Sequence, residues 1–123
     1  MTNTNTLLLV DDEPLVIELL AEGLTEAGYV VTMARSGREA LALLDADGAA
    51  YAGLITDIRL GEGPNGWEVA RRARTHAAVI PVVYMTADSA GERAAQGVTD
   101  SLLLQKPFAI ADLVSALTTL IAA

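Results

Sequence analysis

The sequence predicts an α/β domain in which helices cover both faces of a parallel β-sheet. Five short apolar runs alternate along the chain with segments whose apolar residues recur at helical spacing. This alternation is typical of parallel strands that are joined by crossover helices. The runs are almost continuously apolar, which is expected of strands that are buried on both faces. A length of 123 residues fits one domain.

The strands are predicted where Leu, Val and Ile cluster. The polar residues 1–6 precede them, and we expect this N-terminus to be frayed. No linker, repeat or change of composition divides the remainder, so residues 7–123 are predicted to form one domain. The five predicted strands are Leu7–Val10, Val30–Ala34, Gly53–Thr56, Val82–Met85 and Leu102–Leu104.

Four helices are predicted from apolar spacing and end signals. The first is PLVIELLAEGLTEAG, with Gly28 as its stop, and the second is SGREALALLDADG, with Ser36 as its N-cap and Gly48 beyond its end. NGWEVARRARTH and AIADLVSALTTLIAA are the other two. SAGERAAQG, residues 89–97, predicts only a short or mobile helix, because its two glycines each cost a helix about 1 kcal/mol relative to alanine.

Composition argues against several classes of function. Sixteen acidic against eight basic residues give a net charge of −8, and no basic stripe is present, so we expect no direct binding to nucleic acid. No apolar run is long enough to span a bilayer, and no signal peptide precedes the domain, so we expect a cytoplasmic location and no contact with a membrane. The absence of cysteine excludes disulfides and thiolate metal sites.

Polar side chains follow four of the predicted strands. Asp11 and Asp12 follow the first strand, Asp57 the third, Thr86 the fourth and Lys106 the fifth. The carboxyl ends of parallel strands meet at one edge of a sheet, so we expect these side chains to lie together there. Polar residues also mark strand ends without having a function, but that explanation accounts poorly for this whole set.

Three neighbouring carboxylates repel one another unless a cation neutralises them. Because all the ligands offered are oxygens, the ion expected is Mg²⁺, which a few carboxylates and several waters usually hold. An ammonium and a hydroxyl nearby are suitable donors to a phosphoryl group. These residues therefore predict the transfer of a phosphoryl group to or from an aspartate.

Four segments resemble the marker segments of the receiver domain of two-component response regulators. LLLVDDEP, LITDIRL, PVVYMTAD and LLLQKPF occur in the order of that family and cover nearly the whole chain. The resemblance implies a flavodoxin-like three-layer (βα)5 sandwich with a five-stranded parallel sheet of strand order 2-1-3-4-5.

The resemblance also implies a role for each polar residue. Asp57 would be the phosphoacceptor, supplied by a histidine kinase, a histidine phosphotransfer protein or a small phosphodonor. Asp12 and Asp57 would bind Mg²⁺, or Mn²⁺ in its place, Asp11 would act through water, and the backbone carbonyl of Arg59 would be a further ligand.

The remaining implied roles concern the phosphoryl group itself. Thr86 would donate its hydroxyl to the group, Lys106 would form an ion pair with it, and Pro107 would follow a cis peptide bond. The domain would catalyse only its own phosphorylation and dephosphorylation, and would not be an enzyme acting on other substrates. The signal would pass to a downstream protein partner, or the domain would relay or drain phosphate.

One position departs from the family pattern, and two others are expected to affect the lifetime of the phosphoryl group. Leu103 stands where the family usually has Tyr or Phe, which predicts either a switch based on smaller packing changes or weak coupling to the output. The resemblance implies that Arg59 and Asp88 flank the phosphoryl group. Arg59 could pair with Asp88, which would prolong the phosphorylated state, or with Glu13 or Asp57 when metal is absent. The loop IRLGEGPNG is predicted to be a flexible connection, and His76 a solvated surface histidine.

Several alternatives remain open. The chain could be a single-domain regulator, a receiver excised from a hybrid histidine kinase, or a receiver-like binding module with weak phospho-switching. A haloacid-dehalogenase-like phosphatase would need an acid two residues after Asp57, where Arg59 stands. A flavin-binding protein would need a Ser/Thr/Gly-rich phosphate loop after the first strand, where DDEP stands.

Overall fold

The structure is a computed structural model that describes residues 5–87 and 97–122. Strands and helices alternate through the described residues. The elements are β1 Thr6–Val10, α1 Pro14–Glu26, β2 Val30–Ala34, α2 Gly37–Asp47, a short 3₁₀ helix Gly48–Ala50, β3 Gly53–Asp57, α3 Gly66–His76, β4 Val82–Thr86, β5 Ser101–Gln105 and the C-terminal helix Ile110–Ala122. Among these, no helix combines the length and the apolar character needed to cross a bilayer.

The five strands form one parallel sheet in the order β2-β1-β3-β4-β5, which confirms the predicted topology. Each predicted strand is present, and four of them extend by one or two residues. Thr6, assigned from the sequence to the frayed N-terminus, belongs to β1, and the carbonyl of Asn5 accepts a hydrogen bond of 2.9 Å from the N–H of Val30.

The sheet separates two apolar cores, so the molecule is the expected three-layer sandwich. Residues of α2 and α3 pack on one face, and residues of α1 and the C-terminal helix pack on the other. Successive residues of a strand point to opposite faces, so each strand contributes to both cores. All five residues of β3 and all five of β4 are buried, which explains why both strands are apolar until the carboxyl edge, where Thr56, Asp57 and Thr86 stand.

The ends of α2 and α3 are defined by side-chain caps. The Ser36 hydroxyl accepts a hydrogen bond of 3.0 Å from the N–H of Glu39, as predicted. Asn65 and Glu68 form a reciprocal capping box at the start of α3, with distances of 3.0 and 3.4 Å. This box was not predicted, although an Asn followed by Glu three residues later is its usual signal.

His76 is exposed at the surface, as the sequence predicts, but it also has a side-chain partner. Its Nε2 lies 2.9 Å from Asp45 Oδ1, and Arg72 contacts the same carboxylate. The hydrogen bond from His76, followed by that from Arg72, lowers the pKa of Asp45 below its ordinary value. These contacts join the C-terminal halves of α2 and α3.

Two sequence predictions lie outside the described residues. One is the short fourth helix, because residues 89–96 of its predicted span 89–97 are not described. The other is Asp88, together with its expected pairing with Arg59.

Candidate functional site

The predicted site residues converge at the carboxyl edge of the sheet. Asp57 is the last residue of β3 and Thr86 the last of β4, while Asp11 directly follows β1 and Lys106 directly follows β5. Asp11 is fully buried, and Asp57 and Thr86 are 7% and 4% exposed. The N–H of Lys106 donates a hydrogen bond of 2.7 Å to the carbonyl of Thr86, which holds the ends of β4 and β5 together.

Lys106, the only lysine in the sequence, lies between two buried carboxylates. Its Nζ is 3.1 Å from Asp11 Oδ2 and 3.1 Å from Asp57 Oδ2. Glu13 Oε1 lies further away, at 3.9 Å. One ammonium therefore contacts two buried carboxylates closely and lies at a longer distance from a third, more exposed carboxylate.

Because Asp57 shares the ammonium of Lys106 with Asp11, the charged form of Asp57 is only partly stabilised. Burial raises the pKa of Asp57, and the neighbouring charge of Asp11 adds to this, so that together they outweigh the stabilising contact with Lys106. Burial alone would lower the pKa of Lys106, but its hydrogen bonds to Asp11 and Asp57 reverse this and leave it raised. The two directions are consistent, because the lysine has two anionic partners whereas Asp57 has one cationic partner.

The acidic residues at this edge form a set that suits a divalent cation. Asp11, Asp12, Glu13 and Asp57 each offer a carboxylate oxygen, and these atoms all lie within 4.8 Å of one another. Two of the residues are buried and two are exposed, so the set opens toward solvent. An all-oxygen donor set with open sides fits Mg²⁺, which keeps several of its waters.

Glu13 was not predicted as a member of this set. The signal was present, because Glu13 directly follows the two aspartates in the sequence. Its N–H donates a hydrogen bond of 3.0 Å to Asp11 Oδ1, and α1 begins at the next residue, Pro14. The start of α1 therefore holds the buried Asp11 carboxylate in place.

The loop after β3 is held against the site by close backbone contacts. The N–H of Gly66 donates a hydrogen bond of 2.8 Å to the carbonyl of Ile58, and a β-carbon at Gly66 would lie 2.2 Å from the carbonyl oxygen of Asp57. Only glycine allows α3 to start so close to β3. Gly61 has a positive φ of +71°, and a β-carbon there would lie 3.5 Å from Asp12 Oδ2.

The remaining predicted residues occupy different surroundings. The backbone of Arg59 donates a hydrogen bond to the Asp57 carboxylate, while its side chain is exposed. The bond between Lys106 and Pro107 is cis, as the resemblance implies. Leu103 is partly buried and packs against the core that contains Tyr84, its register partner in β4. Tyr84 itself was not singled out from the sequence, although it is the one aromatic residue in the run PVVYM.

The family model of the response regulator receiver domain matches residues 7–118. The transcriptional regulatory protein CusR of Escherichia coli K12 is 37% identical over 118 residues, which are 94% of this chain and 50% of CusR. The chain thus spans about half the length of the curated relatives it matches.

Two solved structures are also similar. A response regulator receiver protein from Sinorhizobium medicae has a TM-score of 0.92 and 42% identity, with 96% of this chain and 94% of that chain covered. The response regulator TrrA of Thermotoga maritima, solved in complex with Mg²⁺ and BeF, has a TM-score of 0.80 and 30% identity over 98% of this chain and 99% of that one.

Proposed function

The chain belongs to the response regulator receiver domain family, and on that premise we propose that it is a phosphoacceptor module of a two-component system. Asp57 is the acceptor, and a histidine kinase or a histidine phosphotransfer protein is the donor. The observation that carries the proposal is the position of Asp57 Oδ2, 3.1 Å from Lys106 Nζ and inside a set of four carboxylates.

In the proposed reaction, a carboxylate oxygen of Asp57 attacks the phosphorus of the donor's phosphohistidine. The new O–P bond forms as the P–N bond breaks, and the electron pair of that bond stays on the imidazole, which then takes up a proton. The reaction needs charge compensation at the phosphoryl oxygens more than it needs an acid or base. Lys106 supplies a positive charge from within the site, and Thr86 supplies a hydroxyl from the adjacent strand end.

The metal proposed for the site is Mg²⁺, with Mn²⁺ as the alternative. Asp12 and Asp57 would hold it directly, Asp11 would act through water, and the Arg59 carbonyl would be a further ligand. Glu13 is close enough to join this set. A bound Mg²⁺ supplies neutralisation of the carboxylates and of the phosphoryl oxygens. The protein's part is to place the carboxylates around one point while keeping Asp57 shielded from water.

The output we propose is a change in binding to a downstream protein partner, or the relay or drainage of phosphate. The domain would act in the cytoplasm without direct contact with nucleic acid, and its catalysis would be limited to its own phosphorylation and dephosphorylation. The same site would serve equally in a receiver that belongs to a hybrid kinase or to a longer regulator.

One observation favours a second candidate, a receiver-like binding module with weak phospho-switching. Leu103 is aliphatic and partly buried, so at that position it has no polar group with which to report a change at Thr86. Partner affinity measured with and without phosphorylation separates the two candidates. Equal affinities would support the second.

Intact mass spectrometry tests the proposed chemistry. Wild type, Asp57→Asn and Asp47→Asn are incubated with Mg²⁺ and acetyl phosphate. Asp47 is an exposed aspartate at the end of α2, so it controls for the loss of one carboxylate. We expect one phosphoryl group on wild type and Asp47→Asn, none on Asp57→Asn, and none on any of them with EDTA. A phosphorylated Asp57→Asn, or an unmodified wild type, would refute the proposal.

A further inference from the structure

Tyr84 is a fully buried tyrosine next to the proposed site. It lies in β4, two residues before Thr86, and side chains two apart on a strand share one face of the sheet. Its register partner in β5 is Leu103. The phenol therefore carries a polar group between the aliphatic side chains of Val82 and Leu103, which belong to the same core.

The hydroxyl of Tyr84 contacts the segment that leads into β5. It accepts a hydrogen bond of 3.0 Å from the backbone N–H of Val98, fourteen residues further along the chain. The carbonyl of Val98 in turn accepts a hydrogen bond of 2.7 Å from the hydroxyl of Ser101, the first residue of β5. Both backbone polar groups of Val98 are therefore held, one by β4 and one by β5.

The ring of Tyr84 also contacts the element that follows the phosphoacceptor loop. Its centroid is 4.7 Å from that of Trp67, with an angle of 60° between the ring planes. Trp67 is the second residue of α3, directly after Gly66, which packs on the carbonyl of Asp57. Tyr84 thus contacts α3 near Asp57 and the entry to β5 while sharing a strand with Thr86.

We propose that Tyr84 is a positioning residue that couples the phosphorylation site to the segment 97–101, through the hydrogen bond between its hydroxyl and Val98. This inference rests on the proposed function and names a route for its regulation. A displacement of the end of β4 when Thr86 contacts a phosphoryl group moves the Tyr84 hydroxyl, and the hydrogen bond passes this movement to Val98 and Ser101. The aliphatic Leu103 opposite offers no such bond.

The test compares wild type, Tyr84→Phe and Tyr29→Phe by ¹⁵N amide spectroscopy, each with and without Mg²⁺ and beryllium fluoride as the phosphoryl mimic. Tyr84→Phe removes one oxygen and keeps the ring against Trp67. Tyr29→Phe is the matched control, because Tyr29 packs against the other core of the molecule. Ser101→Ala removes the second anchor of Val98 and serves as an independent variant should Tyr84→Phe not fold.

We expect the mimic to shift the amide signals of Asp57, Lys106 and residues 98–101 in wild type and in Tyr29→Phe. In Tyr84→Phe the shifts at Asp57 and Lys106 should remain, whereas those at residues 98–101 should fall to less than half. Ser101→Ala leaves the bond between the Tyr84 hydroxyl and Val98 intact, so the shift of Val98 should remain and that of residue 101 should fall. Undiminished shifts at residues 98–101 in Tyr84→Phe, or at residue 101 in Ser101→Ala, would overturn the coupling alone. A wild type in which Asp57 and Lys106 do not respond would overturn the proposed function as well.

Discussion

Lys106 Nζ lies 3.1 Å from Asp57 Oδ2, although 49 positions separate the two residues in the sequence. The same atom lies 3.1 Å from Asp11 Oδ2, 95 positions away. Three strand ends thus bring one cation to two buried anions. This arrangement keeps the edge of the sheet anionic, and it makes Lys106 a competitor of any divalent ion for the same oxygens.

Removing the ammonium should therefore strengthen metal binding and weaken phosphoryl transfer. In Lys106→Met we expect Mg²⁺ to bind about tenfold more tightly, a gain of about 1.4 kcal/mol, because the two carboxylates lose their cation. Isothermal titration calorimetry measures the affinity. Phosphorylation by acetyl phosphate should slow by roughly a hundredfold, because a charge that stabilises the transition state is lost.

Arg74→Met is the control for Lys106→Met. It removes a positive charge at the far end of α3, where Arg74 bonds to the carbonyl of Ile80. Its Mg²⁺ affinity should match that of wild type. Unchanged or weaker Mg²⁺ binding by Lys106→Met would contradict the idea that the lysine and the metal compete.

The hydroxyl of Thr86 is predicted to act in transfer and not merely to end β4. Thr86→Ala should slow phosphorylation by roughly tenfold, since it removes one neutral donor near the phosphoryl oxygens. Thr86→Ser keeps the hydroxyl and should retain most of the wild-type rate. Stopped-flow measurement of phosphorylation compares the three proteins at one acetyl phosphate concentration. Equal rates for the Ala and Ser variants would assign Thr86 a structural role only.

The contact between Gly66 and Asp57 predicts that a substitution at Gly66 changes the geometry of the site in addition to the stability of the fold. Gly66→Ala places a β-carbon 2.2 Å from the Asp57 carbonyl oxygen, so α3 or β3 must move. We expect a loss of about 2 kcal/mol in urea unfolding, and slower phosphorylation of the folded protein, because overpacking shifts backbone.

Asn65→Ala is the matched variant for Gly66→Ala. It removes the N-cap of the same helix and should cost about 1 kcal/mol without moving Asp57. Its phosphorylation rate should stay close to that of wild type. If both variants slowed phosphorylation in proportion to their loss of stability, the Gly66 contact would have no specific effect on the site.

The cluster of Asp45, His76 and Arg72 predicts a pH dependence of stability. The pKa of Asp45 is lowered, first by the hydrogen bond from His76 and then by that from Arg72, from an ordinary value of 3.8. A carboxylate with a lowered pKa in the folded state contributes stability that is complete above pH 3.8 and is lost as the pH falls through the folded-state value. The contribution is modest and sensitive to salt, because Asp45 is exposed to solvent.

Urea unfolding of wild type and Asp45→Asn from about pH 6 to about pH 2 tests this prediction. The wild type should be more stable at the upper end of the range, and the difference should shrink toward the acidic end and in high salt. Asp47→Asn, in the same turn of α2, is the control for the loss of one exposed carboxylate. A difference between wild type and Asp45→Asn that stays constant with pH would rule out titration of this carboxylate as the cause.

Local patterns in the sequence predicted most of the fold. Strands that are buried on both faces need apolar side chains at every position. Leu7–Val10 and Val82–Met85 are such strands, and they are visible in the sequence as continuous apolar runs. Helix ends such as Ser36 were also visible, because a cap needs only residues a few positions apart. The convergence of Asp11, Asp57 and Lys106 followed from the topology, since all three lie just at the ends of parallel strands.

Contacts between residues that are far apart in the sequence could be identified only from the tertiary structure. Hydrophobic pattern and strand polarity determine which side of the sheet a residue faces and which edge it lies at, so the sequence by itself determined the sandwich and the edge that carries the acids. It could not determine that one ammonium is shared by two carboxylates, that His76 pairs with Asp45, or that the Tyr84 hydroxyl bonds to Val98. Those pairings depend on ångström-scale packing of side chains from different elements, which a one-dimensional pattern does not encode.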